Sequence, residues 1–598
     1  MKLKRTFISI VALMLAVCLM PTALAATWYL EDGDITVIAN ENGQSVKQGS
    51  NSAVADSDTV ITQRDSEKAT DKTITVSTTD DATANITIED VNINSYGDAI
   101  DVGSSGANIT LEGDNKLNSE YGSGLHVSDG DVTITGSGSL EAGSKNDSNN
   151  NAAIGSHENE AMSGDITIGG DAQVTAVSRD DGAGIGSGDM GEMSGDITIG
   201  DNAQVTAWSE TGGAGIGSGR ESNMSGNITI GGSAQVTAGS NSETAGIGSG
   251  NNGVFTSTGR VVIRDSAKVT AIGENEGAGI GTGEDELMAG MIIIQDNAQV
   301  TAIAGDRAAA IGSDNRNEMT GTIIIIGNAR VTTCILDDDD VSFDYDTKEI
   351  KYTLDENAIG YIGDSKYSNH ESNEGHYIIG PDVTINGISG SDIEALKDYI
   401  NMRLSGENHD GEPENLTKLD VRSENGEFTV TADGEGAVEK ILYGGSENVP
   451  TAPGTYPVTC VVRIGEETIE FQIGTYVVPE PTPQPVPMAH HTRIQLYRIA
   501  DKQGRSIAYK AVQKGGVLTI TTDEKEAQLI IERGGLFALS RQGITKIVFV
   551  TASKKSAISV SAAMEKGSGE FVLLHSYRKV KLTIAGAAVD ADGILIKE

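Results

Sequence analysis

The sequence predicts an all-β chain built around a parallel β-helix, and three columns of residues carry that expectation. Ile154, Ile185, Ile216, Ile247, Ile280 and Ile311 lie in near-identical Ala/Gly-Ile-Gly-Ser/Thr blocks, 31, 31, 31, 33 and 31 residues apart. Ile166, Ile197, Ile228, Val261, Ile292 and Ile323 keep the same beat, as do Val174, Val205, Val236, Val269, Val300 and Val331. A fixed interval of this length marks one structural unit stacked on copies of itself. Each unit holds three short β-like runs separated by Gly, Ser, Asn and Asp, the residues that turn a chain sharply. In Ile197-Thr198-Ile199 the isoleucines alternate with threonine, so Ile faces inward and Thr outward. Isolated coils cannot bury such side chains, whereas stacked coils share a continuous core. A four-stranded blade repeat would need longer units and a recurring aromatic signature, and neither is present.

The elements follow in order. Residues 1–25 read as a secretory signal: Lys2, Lys4 and Arg5, an apolar run from Phe7 to Met20, then Ala23-Leu24-Ala25. The chain is therefore expected to be secreted or held at the cell surface, and no later segment is apolar enough for a membrane span. Residues 26–85 should form the N-terminal cap and first coils, with strands at Trp28-Tyr29-Leu30 and Ile35-Thr36-Val37-Ile38. The stack proper is expected over 86–333. Its early coils are shorter: Ile86, Ile109, Val132 and Ile166 are 23, 23 and 34 residues apart. The lengthening admits loops such as His157 to Met162, expected to project as a binding ridge.

In the last coils the outward threonines become Val262, Ile293 and Ile324, the pattern of a strand covered on both faces. The segment around 341–410 is expected to fold over this wall; left bare, it would be a protein-docking patch. A distal cap spans 334–410, with one helix at 391–404. Ser391 and Glu394 make its capping box, Ile393, Leu396, Ile400 and Leu404 its apolar side, and Gly406 its stop. Residues 417–478 read as a small β-sandwich, 479–488 as a Pro-rich extended linker, and 489–598 as a β-rich terminal domain.

Charge is strongly acidic and unevenly placed. The formal net charge is −43, yet from Ala489 onward 17 Lys and Arg face 10 Asp and Glu. The acidic field repels nucleic acid, which is not expected as a partner. The basic terminal domain could attach to anionic cell-wall polymers or fold back on the acidic stack, and the charge difference permits both. Cys18 lies in the signal, which leaves Cys334 and Cys460 and no disulfide framework.

Two resemblances add to this reading. Asn85-Ile86-Thr87-Ile88, Gly97-Asp98-Ala99-Ile100, Asn108-Ile109-Thr110-Leu111, Gly122-Ser123-Gly124-Leu125 and Asp131-Val132-Thr133-Ile134 resemble the secreted carbohydrate-binding β-helix family of clostridia and other gut Firmicutes. That resemblance, over roughly 80–335, implies a pectate-lyase-like scaffold with calcium sites that binds plant cell-wall polysaccharide without cleaving it. Tyr443-Gly444-Gly445-Ser446 and Ala452-Pro453-Gly454-Thr455-Tyr456-Pro457-Val458 resemble the Ig-like repeats of bacterial surface proteins, which serve as spacers.

Candidate sites follow from residue chemistry. Thr175, Thr206, Thr237, Thr270, Thr301 and Thr332 form a polar ladder that could hydrogen-bond an extended polymer; threonine also simply suits a solvated β-face. Trp208 is the single tryptophan of the repeats and the candidate sugar-stacking ring. Asp337, Asp338, Asp339 and Asp340 offer hard oxygen ligands, so calcium is the candidate cofactor, although no spaced calcium-loop signature appears. The histidines show no metal-ligand spacing. A lyase would need clustered Asp ligands and a basic residue in one groove, and Arg179, Arg220, Arg264 and Arg307 are scattered. The expectation is an exported, non-catalytic, polysaccharide-binding protein, with a protein-binding adhesin or stalk as the alternative and a lyase behind it.

Overall fold

The computed structural model describes residues 26–598 except 80–81, 145, 147–148, 285–286, 306, 314–318, 356–357, 359, 364–374, 398, 401–414, 425–426, 435, 465–466, 479–495, 532–534, 567–569, 577–578, 585–586, 590–593 and 597–598. The signal at 1–25 and the linker at 479–488 thus lie outside the described residues. The chain divides into two compact units, Met1–Pro481 and Thr482–Glu598.

In the first unit, alternating apolar residues build three long sheets of 14, 12 and 13 strands, here sheets I, II and III. The chain visits them in turn. Thr83–Glu89 joins sheet I, Asn92–Ser95 sheet II and Ile100–Gly103 sheet III, and the next circuit begins at Gly106–Glu112. The pairing between circuits is parallel throughout the middle of the stack, and long parallel sheets visited in this way fit a β-helix. One apolar cluster takes residues from all three sheets, from Leu30 to Leu416.

The three sheets run beyond both ends of 86–333. Within 26–85, where first coils are expected, Thr27–Tyr29 pairs in parallel with Thr59–Thr62, and Ile35–Asn40 with Ile74–Thr78. The antiparallel partners Gly43–Gln48 and Val54–Ala55 close that end of sheet III. At the other end His376–Ile379 and Leu416–Glu424 extend sheet I, and Ile362–Gly363 extends sheet III. Register corrects one early column: Val132 lies beside Ala107, and Ile109 beside Ile134. The inward ladder therefore runs Ile86, Ile109, Ile134, Ile168, with steps of 23, 25 and 34 residues.

The added residues of the wide coils are exposed only in part, as at Glu158, Asn159 and Met190, and the rest build core. Met162, Met193, Met224, Phe255, Met288 and Met319 bridge one another in parallel and are fully buried. The insertion is a further stacked corner that enlarges the core. The Ile-Gly blocks explain themselves in the same way. Gly155, Gly186, Gly217, Gly248, Gly281 and Gly312 have φ between 137° and 145°, and a Cβ on any of them would lie 1.7–1.9 Å from the carbonyl oxygen of the next coil's glycine.

Two outward walls are covered: the expected one by a later segment than 341–410, and a second by part of 341–410 itself. Ile293, Ile324 and Ile378 on sheet I lie beneath a three-stranded antiparallel sheet of Gly436–Tyr443, Gly454–Ile464 and Glu467–Val478. Its Val458, Cys460, Val462, Phe471 and Ile473 share their cluster. The strands foreseen at 417–478 therefore do not close on each other alone: Leu416–Glu424 and Glu427–Gly434 belong to sheet I, which is the opposing layer. The hairpin Arg330–Asp344 with Glu349–Leu354 covers a different wall, on sheet II.

The expected helix at 391–404 is a single turn among the described residues, Ile393–Leu396. Asp392 caps it through a bond from the Ala395 N–H, while the Ser391 N–H and hydroxyl engage the Ser389 hydroxyl, so the Ser391–Glu394 box does not form. Leu396 and Ile400 face the core, and Ile400 bridges Ile362 in parallel. The demand for another coil overrides the local helical pattern.

The second unit packs two five-stranded sheets and the helices Gly535–Arg541 and Val560–Glu565 around one apolar cluster. The strands expected near Val517, Ile547 and Val580 are present; the helices were not foreseen.

Candidate functional site

The outward face of sheet II is an extended polar surface that the repeat constructs. Strands such as Gln204–Ser209 place Val205 and Ala207 in the core and turn Gln204, Thr206 and Trp208 outward. Parallel register then lines these positions up. Thr175, Thr206, Thr237, Thr270, Thr301 and Thr332 form one continuous column, half-buried until Thr332, which is exposed. Beside it run Gln173, Gln204, Gln235, Lys268, Gln299 and Arg330, all exposed. The sequence showed the threonines but not that these residues complete the shelf.

The third outward column, Val177, Trp208, Gly239, Ile272 and Ile303, is buried. Leu336, Val341, Phe343 and Ile350 of the hairpin lie on it. Trp208 is therefore not a sugar platform. It is fully buried, its ring centroid 6.3 Å from Phe343, and its Nε1 donates to Glu210 Oε2 at 2.9 Å. The Tyr345 hydroxyl donates to the same oxygen at 2.8 Å, which anchors the hairpin. Asp337 is exposed on the long strand, between the paired Leu336 and Val341; the side chains of Asp338, Asp339 and Asp340 lie outside the described residues. Neighbouring Asp344 does not suit calcium. One oxygen takes the Asp346 and Thr347 N–H groups, and the other pairs with Lys351 at 2.7 Å. These bonds, the Lys351 contact first, hold its carboxyl far below the usual carboxylate range.

Where the hairpin tip reaches the narrow coils, the shelf opens into a groove of about 400 Å³. Lys116 and Glu141, which continue the threonine column, form part of its floor with Asn92 and Asn118. Phe343 and Tyr345 line its wall, with Arg179 stacked 4.3 Å from the Tyr345 ring centre. Lys348 bonds Glu141 at 2.6 Å across the junction. Aromatic carbon beside amide, ammonium and carboxylate groups is the mixture that small sites use to hold a polar ligand by its faces and edges.

A second constellation went unseen in the sequence. Asp98 and Asp101 lie on one coil, His126 on the next, and His157 and Glu160 on the first wide coil, with His126 in register with Asp101 and Gly155. His126 Nδ1 is 2.9 Å from Asp101 Oδ1, and its Nε2 is 2.8 Å from Glu160 Oε2. His157 Nε2 is 2.7 Å from Asp98 Oδ1, and the two imidazoles stack at 3.8 Å and 3°. Burial opposes a charge on His126, but the Asp101 and Glu160 hydrogen bonds and the charges of Asp98 and Glu160 raise its pKa to about 9. For Asp98, burial pushes upward, yet the bond and charge of His157, the Ser123 N–H and the charge of His126 hold it below its ordinary value. Residues about 25 and 31 positions apart carry no short-range metal motif. The coil interval itself was the signal, since it sets Asp101, His126 and His157 side by side.

No protein-family model, curated protein or solved structure matches the chain.

Proposed function

We propose that the three-sheet stack is a parallel β-helix that serves an exported, non-catalytic, polysaccharide-binding protein, with sheet II as its binding face. The observation that carries this reading is the groove, where Phe343 and Tyr345 stand over Lys116, Asn118 and Glu141 at the end of the Gln and Thr columns. An extended chain of sugars matches a flat two-column shelf that repeats at about 4.8 Å per coil. The resemblance to secreted carbohydrate-binding β-helices points to the same ligand class, plant cell-wall polysaccharide. The protein-docking alternative loses its main support, because the Ile293 and Ile324 wall is already covered.

The test is co-sedimentation of the full chain with insoluble xylan, cellulose and pectin gel, in calcium and in chelator. We expect retention without release of sugar, reduced at least fivefold by Tyr345→Ala and by Lys116→Ala. Equal retention in chelator would remove calcium from the proposal. No retention on any polymer, or retention indifferent to both substitutions, overturns the assignment of this face.

A further inference from the structure

We propose that Asp98, His126 and His157 form a site for one divalent transition-metal ion, with Zn²⁺ the best match. One ligand atom from each residue lies within 4.8 Å of the others. Two imidazoles and a carboxylate are a borderline donor set of the kind that zinc, cobalt and nickel favour, and a poor one for calcium, which takes oxygen.

The orientation of the rings sharpens the argument. His157 Nε2 and His126 Nδ1 both face Asp98, at 2.7 and 3.9 Å. Their other nitrogens both face Glu160, His126 Nε2 at 2.8 Å and His157 Nδ1 at 3.6 Å. One carboxylate thus stands where a metal would be held and another where it fixes the remaining N–H of each ligand, the usual outer support of metal-bound histidine. Asp101 Oδ1, 2.9 Å from His126 Nδ1, is placed to complete the set. Three carboxylates around two imidazoles leave excess negative charge, and a dication offsets it.

The cluster also breaks the repeat at one place. The position of His157 is filled by Gly188, Gly219 and Gly250 in the coils that follow, so the site is not a by-product of duplication. Parallel rings cannot both aim a lone pair at one ion, so binding requires one imidazole to turn out of the stack. His157, with 32% of its side chain exposed against 10% for His126, has the room.

The experiment uses the full chain stripped with chelator and titrated with Zn²⁺ by calorimetry, with Co²⁺ for its visible absorption. Histidine ¹H–¹⁵N spectra follow the rings. We expect one tight site, a tetrahedral cobalt spectrum and a shift of both ring signals. His157→Ala should weaken the site at least 100-fold, and Glu160→Gln, which keeps every ligand, by 10- to 100-fold. His490→Ala with His491→Ala should leave it unchanged. Absence of a tight site in wild type, or an affinity unmoved by both cluster substitutions, overturns the proposal. Circular dichroism of the two variants separates lost ligands from lost fold, and Glu160→Gln decides if His157→Ala unfolds.

Discussion

The narrow coils before Gly136 and the wide coils after Ile154 run through the same three sheets, yet they finish the sheet III corner in opposite ways. In register, Asp101 and His126 of the narrow coils are succeeded by Gly155, Gly186 and Gly217. Narrow coils let side chains stand outside sheet III and pair with each other. Wide coils put glycine there at φ near 140°, where a Cβ would meet the carbonyl oxygen of the next coil's glycine, and so tolerate no side chain. Sheet II differs in the same sense: the hairpin buries Trp208 and Ile272, while Asn118 of the narrow coils lines the open groove.

The comparison breaks most visibly at the glycine ladder. Gly217→Ala places a Cβ 1.8 Å from the Gly248 carbonyl at a φ of 142°, and should cost more than about 4 kcal/mol in denaturant unfolding. Asp101→Ala, at the matching narrow position, should cost less, about 1–3 kcal/mol, because it removes one partner of the buried His126. Next in size is Trp208→Ala, which removes the ring beneath the hairpin. A loss of about 3–5 kcal/mol is expected, with protease cleavage appearing near Tyr345. Met224→Ala should cost about 2–5 kcal/mol by opening a cavity at a corner the narrow coils lack.

A fourth measurement concerns charge. Asp189 of a wide coil is buried and its Oδ1 has no hydrogen-bond partner among the described residues. Burial first, then the charges of Asp181, Glu158 and Glu221, against Arg220, raise its pKa to about 6. The folded state therefore binds its proton more tightly than the unfolded chain, whose value is near 3.8. The ionised carboxylate costs stability above pH 6, and the cost fades as pH falls toward 4. Asp189→Asn should stabilise the protein by about 1–3 kcal/mol at pH 7 and by nothing measurable near pH 3.5. Smallest is Thr206→Ala, with a change within about 0.5 kcal/mol in stability. If its polymer retention is also unchanged, the binding face shrinks to the groove.

The wide coils were legible because their columns recur at one interval and each column has one chemistry. The narrow coils were less so. Val132 and Ile134 both face inward, so a two-residue slip keeps the alternation intact, and only the observed pairing separates them. Trp208 was misplaced for a related reason. Alternation says that it leaves the core, but the hairpin that covers it arrives from more than a hundred residues away. The wall at Ile293 was rightly read as covered, whereas the covering sheet was assigned to the wrong segment, because any apolar strand downstream satisfies that demand. The histidine cluster joins three circuits, and no local window contains it.

The hairpin carries a last consequence, for how this chain can lengthen in evolution. Near-identical 31-residue units are easily duplicated or lost by recombination, and matched register would accept either event silently. The hairpin leaves the stack beyond Ile335 and returns to Glu141 through Lys348, six coil steps from Thr332 along the threonine column. At about 4.8 Å per step that is about 29 Å, close to the reach of nine extended residues. An extra coil would part Lys348 from Glu141 and slide Phe343 off Trp208. The hairpin thus acts as a molecular ruler, and a gained or lost coil beneath it would break the contacts at its tip.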